Sequence, residues 1–208
     1  MAEIRGLYAI TDPKLIAAER LLSACEAALR GGARLLQYRD KPASDTTRRQ
    51  RAASLRDLCR DHGALLLVND DPQLAADIGA DGVHIGQSDG GILRARQLLG
   101  AEAVIGVTCH SDTDLANAAA VAGASYVAFG RFYPSHTKPG AAQADLSILA
   151  TTVPLPKVAI GGVTPDNAPA LIAAGADAVA VIHSLFSAAD IEAQARLFAN
   201  LFSPKESS

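Results

Sequence analysis

The chain predicts a single (β/α)8 barrel over residues 1–208, on three observations. A Gly-Ala pair recurs at 32–33, 63–64, 79–80, 100–101, 123–124 and 175–176. An Ala- and Leu-rich helical pattern precedes most of these pairs and a short β-rich run follows. Glycine there supplies the left-handed residue that ends a helix before the chain turns into a strand. Eight such alternations in 208 residues match the compact end of the size range of this α/β (TIM) barrel. A doubly wound open sheet is the alternative, although it usually has fewer strands.

In chain order, Leu7-Tyr8-Ala9-Ile10-Thr11 is the first strand, followed by helical periodicity over 14–30. A second strand at 34–39 feeds a helix over 44–61, and a third at 65–69 feeds one over 71–78. The fourth and fifth strands are 82–85 and 103–107, with a helix over 111–122 after the latter. The sixth and seventh are 125–129 and 157–160, and a helix over 165–174 follows the seventh. The eighth, 177–182, precedes a last helix over 188–201. Several strands are nearly continuous in apolar residues, as parallel strands covered on both faces require. Asp166-Asn167 and Ser187-Ala188 lie near expected helix starts. No shift in composition marks a second domain, and the tail from Pro204 reads as frayed.

Composition narrows the function. With 49% hydrophobic residues, 4% aromatics and no Trp, the core must be built mainly from Ala, Val, Ile and Leu. A formal net charge of −3 gives no general attraction to nucleic acid or to anionic membranes, so a polyanion site must be a local concentration of positive charge. Cys25, Cys59 and Cys109 are widely spaced and lack a CxxC pair, which excludes a disulfide framework and fits a reducing cytoplasm. No apolar run reaches the roughly 18 residues of a membrane span. The N-terminus has no signal-peptide layout. The partners expected are small phosphorylated molecules, not nucleic acid or a membrane; a homo-oligomer is left open.

Barrel active sites lie on the loops after the strands, and polar residues stand at nearly every one of these ends. Gln37, Arg39 and Lys41 follow strand two, and in an extended chain they point the same way. An amide and two permanent cations suit a polyphosphate anion; the bland alternative is solvated charge at a loop start. Asn69, Asp70 and Asp71 end strand three, and Asp89 follows strand four. Asp70 and Asp89 suit Mg²⁺, which takes one or two carboxylates and completes its shell with water and phosphate oxygens; either Asp alone also suits helix capping. Lys138, on the long loop after strand six, would add a cation to the clamp. Gly161-Gly162 and the loop after strand eight form the usual barrel phosphate position, the alternative being a turn that needs glycine for steric reasons. His84 reads as a hydrogen-bonded barrel residue and His62 as a helix-end surface residue. His110 and His136 lie on active-face loops without an assigned role. No Ser/His/Asp arrangement, reactive-Cys signature or P-loop is present.

These residues resemble the thiamine-phosphate synthase family from Tyr8 to about Leu185. The resemblance rests on Gln37-x-Arg39-x-Lys41, Asn69-Asp70, Asp81-Gly82-Val83-His84-Ile85-Gly86-Gln87-x-Asp89, Tyr133-Pro134-Ser135-x-Thr137-Lys138 and Ala159-Ile160-Gly161-Gly162-Val163. It implies condensation of a hydroxymethylpyrimidine diphosphate with a thiazole phosphate, or its carboxylated precursor, with release of pyrophosphate by a dissociative route. Gln37, Arg39, Lys41, Asn69, Thr108 and Lys138 would then bind the pyrimidine diphosphate. Arg39, Lys41, Lys138 and Thr108 would act in catalysis, and Asp70 and Asp89 would ligate Mg²⁺. Ser135, Thr137, Gly162, Ile182 and His183 would receive the thiazole phosphate.

Two positions depart from the family pattern. Thr108 stands where members commonly carry Ser, keeping the hydroxyl, and His183 stands where many have Ser. A related thiazole tautomerase is the nearest rival, but its His after the strand-six Gly is here Arg131. A non-catalytic barrel sensing thiamine precursors is the other, and retention of Asp70, Asp89 and Lys138 argues against it.

Overall fold

A computed structural model describes residues 3–87, 91–134 and 142–203 of the chain. Eight parallel strands close into a barrel in sequential order. They are β1 (Gly6–Ile10), β2 (Ala33–Tyr38), β3 (Leu65–Asn69), β4 (Gly82–Ile85), β5 (Val104–His110), β6 (Tyr126–Phe129), β7 (Lys157–Ile160) and β8 (Ala178–Val181). Pairing of β8 with β1 completes the ring, so no strand is left with an open edge. The barrel fold expected from the sequence is the fold observed.

Period-two alternation sorts the apolar residues of each strand into two cores. In β1, Leu7 and Ala9 face the surrounding layer, whereas Tyr8 and Ile10 face the interior with Leu35, Leu67, Val158 and Ala180. Both faces are dry, which explains the nearly unbroken apolar strands. The surrounding layer consists of α1 (Leu21–Arg30), α2 (Asp45–Asp61), α3 (Pro72–Ile78), α4 (Gly91–Leu99), α5 (Thr113–Val121), α6 (Ala168–Ala173), α7 (His183–Phe186) and α8 (Ile191–Asn200). The glycine of each of the six pairs named above has a positive φ, from 64° at Gly63 to 112° at Gly175, the left-handed turn out of a helix that the repeat predicts. Helix α8 returns to α1, where a Cβ on Gly31 would overlap Ala195 and Arg30 pairs with Glu192 at 2.9 Å. No helix among the described residues is long and apolar enough to cross a membrane.

Several helix limits differ from expectation for local reasons. The helix expected over 14–30 starts at Leu21, after a 3-10 turn at Ala18–Arg20. Asp12 occupies the preceding chain instead, accepting from the Leu15 and Ile16 N–H groups through its carbonyl and from Lys14 N–H through its carboxylate. Ser187 closes α7 rather than opening a helix; its hydroxyl donates to the His183 carbonyl at 2.6 Å. The last helix is capped by Asp190, which accepts from Ala193 N–H at 3.0 Å. Strand β5 runs to His110, beyond the expected 107, because a register shift between Thr108 and His110 carries the pairing onward. Between β6 and β7 the described residues hold only a 3-10 turn at Leu146–Ala150. The tail from Pro204 lies outside the described residues.

Candidate active site

Gln37 is at the C-terminal end of β2 with its side chain inside the barrel, only 2% exposed. Its Nε2 donates to the Tyr8 hydroxyl at 2.6 Å. Tyr8 meets the Tyr126 hydroxyl at 2.9 Å, Tyr126 meets His84 Nδ1 at 2.8 Å, and His84 Nε2 meets Thr108 Oγ1 at 2.9 Å. The chain of contacts thus crosses the barrel from β2 to β5 beneath the active face. Gln37 is the amide donor at one end of this chain; the Tyr8–Tyr126 proton can lie on either hydroxyl, and the roles of the two His84 nitrogens follow the tautomer of the ring. Burial pushes both phenols above their ordinary range, with Tyr8 adding to the effect on Tyr126, so they stay protonated donors. Gly106 on β5 makes room for this arrangement, because a Cβ there would overlap the Tyr126 ring. His84 is the hydrogen-bonded barrel residue that the sequence suggests.

The chain leaves β2 at Tyr38, so strict alternation stops short of Arg39 and Lys41. Thr11 brackets the Arg39 backbone: its hydroxyl accepts from Arg39 N–H at 2.8 Å and donates to Arg39 O at 3.1 Å. Arg39 lines a small cavity of about 110 Å³ with Thr11, Asp12, Asp40 and Arg51. Lys41 instead lines a larger cleft of about 410 Å³ with Asn69, Asp70, Asp71 and Arg48. There Lys41 Nζ pairs with Asp70 Oδ2 at 2.9 Å, so it is not simply solvated charge. Tyr38 and Asp40 border both spaces.

Asp70 and Asp71 divide the work that the sequence leaves open. Asp71 caps α3, accepting from Leu74 N–H at 2.9 Å, and its other oxygen accepts from Arg48 at 2.9 Å. Asp70 has no capping role in α3. It sits at φ 61°, a left-handed conformation rare for a residue with a Cβ, while its N–H donates to His84 O at 2.8 Å. Such backbone strain concentrates at functional sites. Among the described residues no group of three or more His, Cys, Asp or Glu could hold a metal ion. Asp70 still offers a hard oxygen in a cleft open to a phosphate, which fits Mg²⁺ better than a metal needing an all-protein cage.

At the opposite side, Gly161 and Gly162 follow β7 at φ 101° and 68°. Cβ atoms there would overlap Arg131 and the Tyr133–Pro134 backbone respectively, so the steric reason for glycine is present. The Gly162 carbonyl accepts from Asn167 Nδ2 at 3.0 Å. Ile182 is the N-cap of α7 and His183 its first residue; since β7 pairs with β8, these ends are neighbours. Asp89, Ser135, Thr137 and Lys138 lie outside the described residues, as does His136.

Tyr8, Tyr126, Asp40, Arg51 and Arg48 enter the site through contacts that the sequence does not supply. Asp40 accepts from Arg51 at 2.6 Å and from the Tyr38 hydroxyl at 3.2 Å. The one available signal is its place inside the Gln37–Lys41 run.

Residues 7–185 match the family model described as thiamine monophosphate synthase. The chain belongs to that family. It is 60% identical to a thiamine-phosphate synthase of Alcanivorax borkumensis, over 98% of this chain and 97% of that relative. A synthase of Thioalkalivibrio sulfidiphilus is 54% identical, over 96% of each chain. The solved thiamine phosphate pyrophosphorylase of Pyrococcus furiosus superposes with a TM-score of 0.87 at 30% identity, covering 96% of each chain. Family membership therefore extends over the β2, β3 and β7 ends just described.

Proposed function

We propose that the protein is a transferase that joins a hydroxymethylpyrimidine diphosphate to a thiazole phosphate, forming thiamine phosphate and pyrophosphate. The observation that carries this reading is the Lys41–Asp70 pair in the cleft bordered by Asn69, within a family member of matching motif order. A cation and a carboxylate held 2.9 Å apart can be separated by a metal-bound diphosphate, the cation taking phosphate oxygens and the carboxylate taking the metal. Asp70, together with Asp89, would hold Mg²⁺, which when bound neutralises diphosphate charge.

In this reading Arg39, Lys41 and Lys138 stabilise the leaving diphosphate, with Gln37, Asn69 and Thr108 orienting the pyrimidine end. The carbon–oxygen bond breaks first, its electron pair departing with pyrophosphate and leaving a pyrimidine-methyl cation. The thiazole nitrogen then donates its lone pair to form the carbon–nitrogen bond. Ser135, Thr137, Gly162, Ile182 and His183 hold the thiazole phosphate so that the nitrogen is in line. Such chemistry depends on position and electrostatics more than on proton transfer. Neither the tautomerase nor the sensor reading draws support from this geometry or from the relatives.

The direct experiment is formation of thiamine phosphate from the two precursors, with and without Mg²⁺, alongside Asp70→Asn. Product should appear only with both precursors and Mg²⁺. Asp70→Asn should lower turnover about 100-fold or more, as loss of a charged metal partner does. Parental turnover by Asp70→Asn at limiting Mg²⁺ would remove Asp70 from the metal site.

A further inference from the structure

Asp40 stands between Arg39 and Lys41 in the chain, yet its side chain is only 7% exposed. Arg51, from the second turn of α2, reaches its Oδ2 at 2.6 Å, and the buried Tyr38 hydroxyl donates to the same oxygen at 3.2 Å. Asp40 nevertheless borders the cleft that contains Lys41 and Asp70. It also borders the smaller cavity lined by Arg39, where Asp12 is a further acid already committed to Lys14 N–H. A diphosphate entering here meets a wall that carries a carboxylate next to its own cations.

We propose that Arg51 is a positioning residue for the diphosphate subsite: its ion pair with Asp40 keeps that carboxylate neutralised and turned toward α2, leaving Arg39 and Lys41 to the substrate. The inference rests on the proposed function of the cleft. Without Arg51, Tyr38 remains, but a neutral hydroxyl cannot cancel the charge. An uncompensated buried carboxylate is costly, and it relaxes toward the nearest cation or toward water. The cations flanking it are the two assigned to the diphosphate. Either outcome weakens diphosphate binding: the carboxylate competes for a cation, or it repels the polyanion across the cleft. The thiazole phosphate, assigned to the β7 and β8 ends, is held by different strand ends and is little affected.

The charges predict opposite signs for the two halves of the pair, which a purely structural role does not. Arg51→Gln should raise the pyrimidine diphosphate KM about tenfold or more, with the thiazole phosphate KM within about twofold. Asp40→Asn should lower the diphosphate KM, because one anion leaves the cleft wall. The double variant Asp40→Asn/Arg51→Gln should return to within about threefold of the parent, a coupling expected only for residues acting as a pair. Parallel rises in the diphosphate KM for both single variants, or a double variant no better than Arg51→Gln, would overturn the proposal. If Arg51→Gln does not fold, Asp40→Asn carries the test alone, and a raised diphosphate KM overturns it. Failure of the parent enzyme to make thiamine phosphate would instead refute the proposed function, and is read before any variant.

Discussion

Tyr126 shows how much of the site depends on a single hydroxyl. That group contacts Tyr8 at 2.9 Å and His84 at 2.8 Å, and its ring packs edge-on to Tyr8 and stacks with His84. Tyr126→Phe keeps the ring but leaves Tyr8 and His84 Nδ1 without that partner. Unmade hydrogen bonds of buried groups should cost about 1–3 kcal/mol, read as a lower urea midpoint at unchanged m-value. A midpoint equal to the parent would mean the chain of contacts contributes nothing net. The two ends of this chain are legible in the sequence, Gln37 because it lies in a family motif at a strand end and Thr108 because it keeps the hydroxyl at a position where members commonly carry Ser. The middle is not. Tyr8 and Tyr126 are 118 residues apart, and nothing in either local pattern reveals that Gly106 vacates the space that lets them meet. Asp40, in the loop after β2, and Arg51, on α2, are hidden similarly, since a charged residue in a loop or on a helix surface usually only meets water.

At the scale of single elements, α3 is only seven residues long, too short to persist without packing and caps. Asp71 caps it with one oxygen and holds Arg48 of α2 with the other, while Pro72 fixes the first turn. Asp71→Ala should therefore cost about 1–2 kcal/mol, the usual value of a lost cap, in chemical denaturation. Asp71→Asn retains a capping oxygen and should lose less. A stability loss for Asn equal to that for Ala would assign the effect to the Arg48 ion pair instead. Elements of this kind explain which parts of the fold the sequence discloses. Six of the eight strands are legible because a continuous apolar run after Gly-Ala has few other readings, whereas β1 and β7 follow no such pair and are read from their apolar runs alone. Helix starts are less so, because Asp, Asn and Ser suit several turn geometries: Asp190 caps α8, whereas Ser187 turns back onto His183. The described part of the β6–β7 connection, with its 3-10 turn, follows no repeat pattern to extrapolate.

At the scale of the whole molecule, closure of the barrel places all three thiols in the dry seam between strands and helices. Cys25, Cys59 and Cys109 are each 0% exposed and belong to one continuous apolar cluster. Burial, with the charge of Asp81 near Cys59 and Asp112 near Cys109, pushes both thiols from 9.0 up to about 12. Burial and the neighbouring Cys59 push Cys25 up as well. In the unfolded chain these groups ionise near their ordinary value. Between about pH 9 and pH 12 the folded protein therefore holds protons that the unfolded chain has released, and unfolding free energy must fall as pH rises. This contribution is fully present below about pH 9. It is lost progressively up to the folded value, at no more than about 1.4 kcal/mol per pH unit for each thiol. The ring has no open edge, so a thiol buried on both sides is expected to reach solvent mainly through broad opening, and alkaline loss should be cooperative. Denaturation at a series of pH values should show a falling midpoint above pH 9, with a shallower fall in Cys59→Ala even though that variant is less stable throughout. The slope, unlike the absolute stability, is insensitive to the cavity that the substitution leaves. Native protein at pH 8 should also react with an aromatic disulfide reagent far more slowly than free cysteine. Rapid reaction of all three thiols, or a pH-independent midpoint up to pH 11, would contradict their placement in the closed seam.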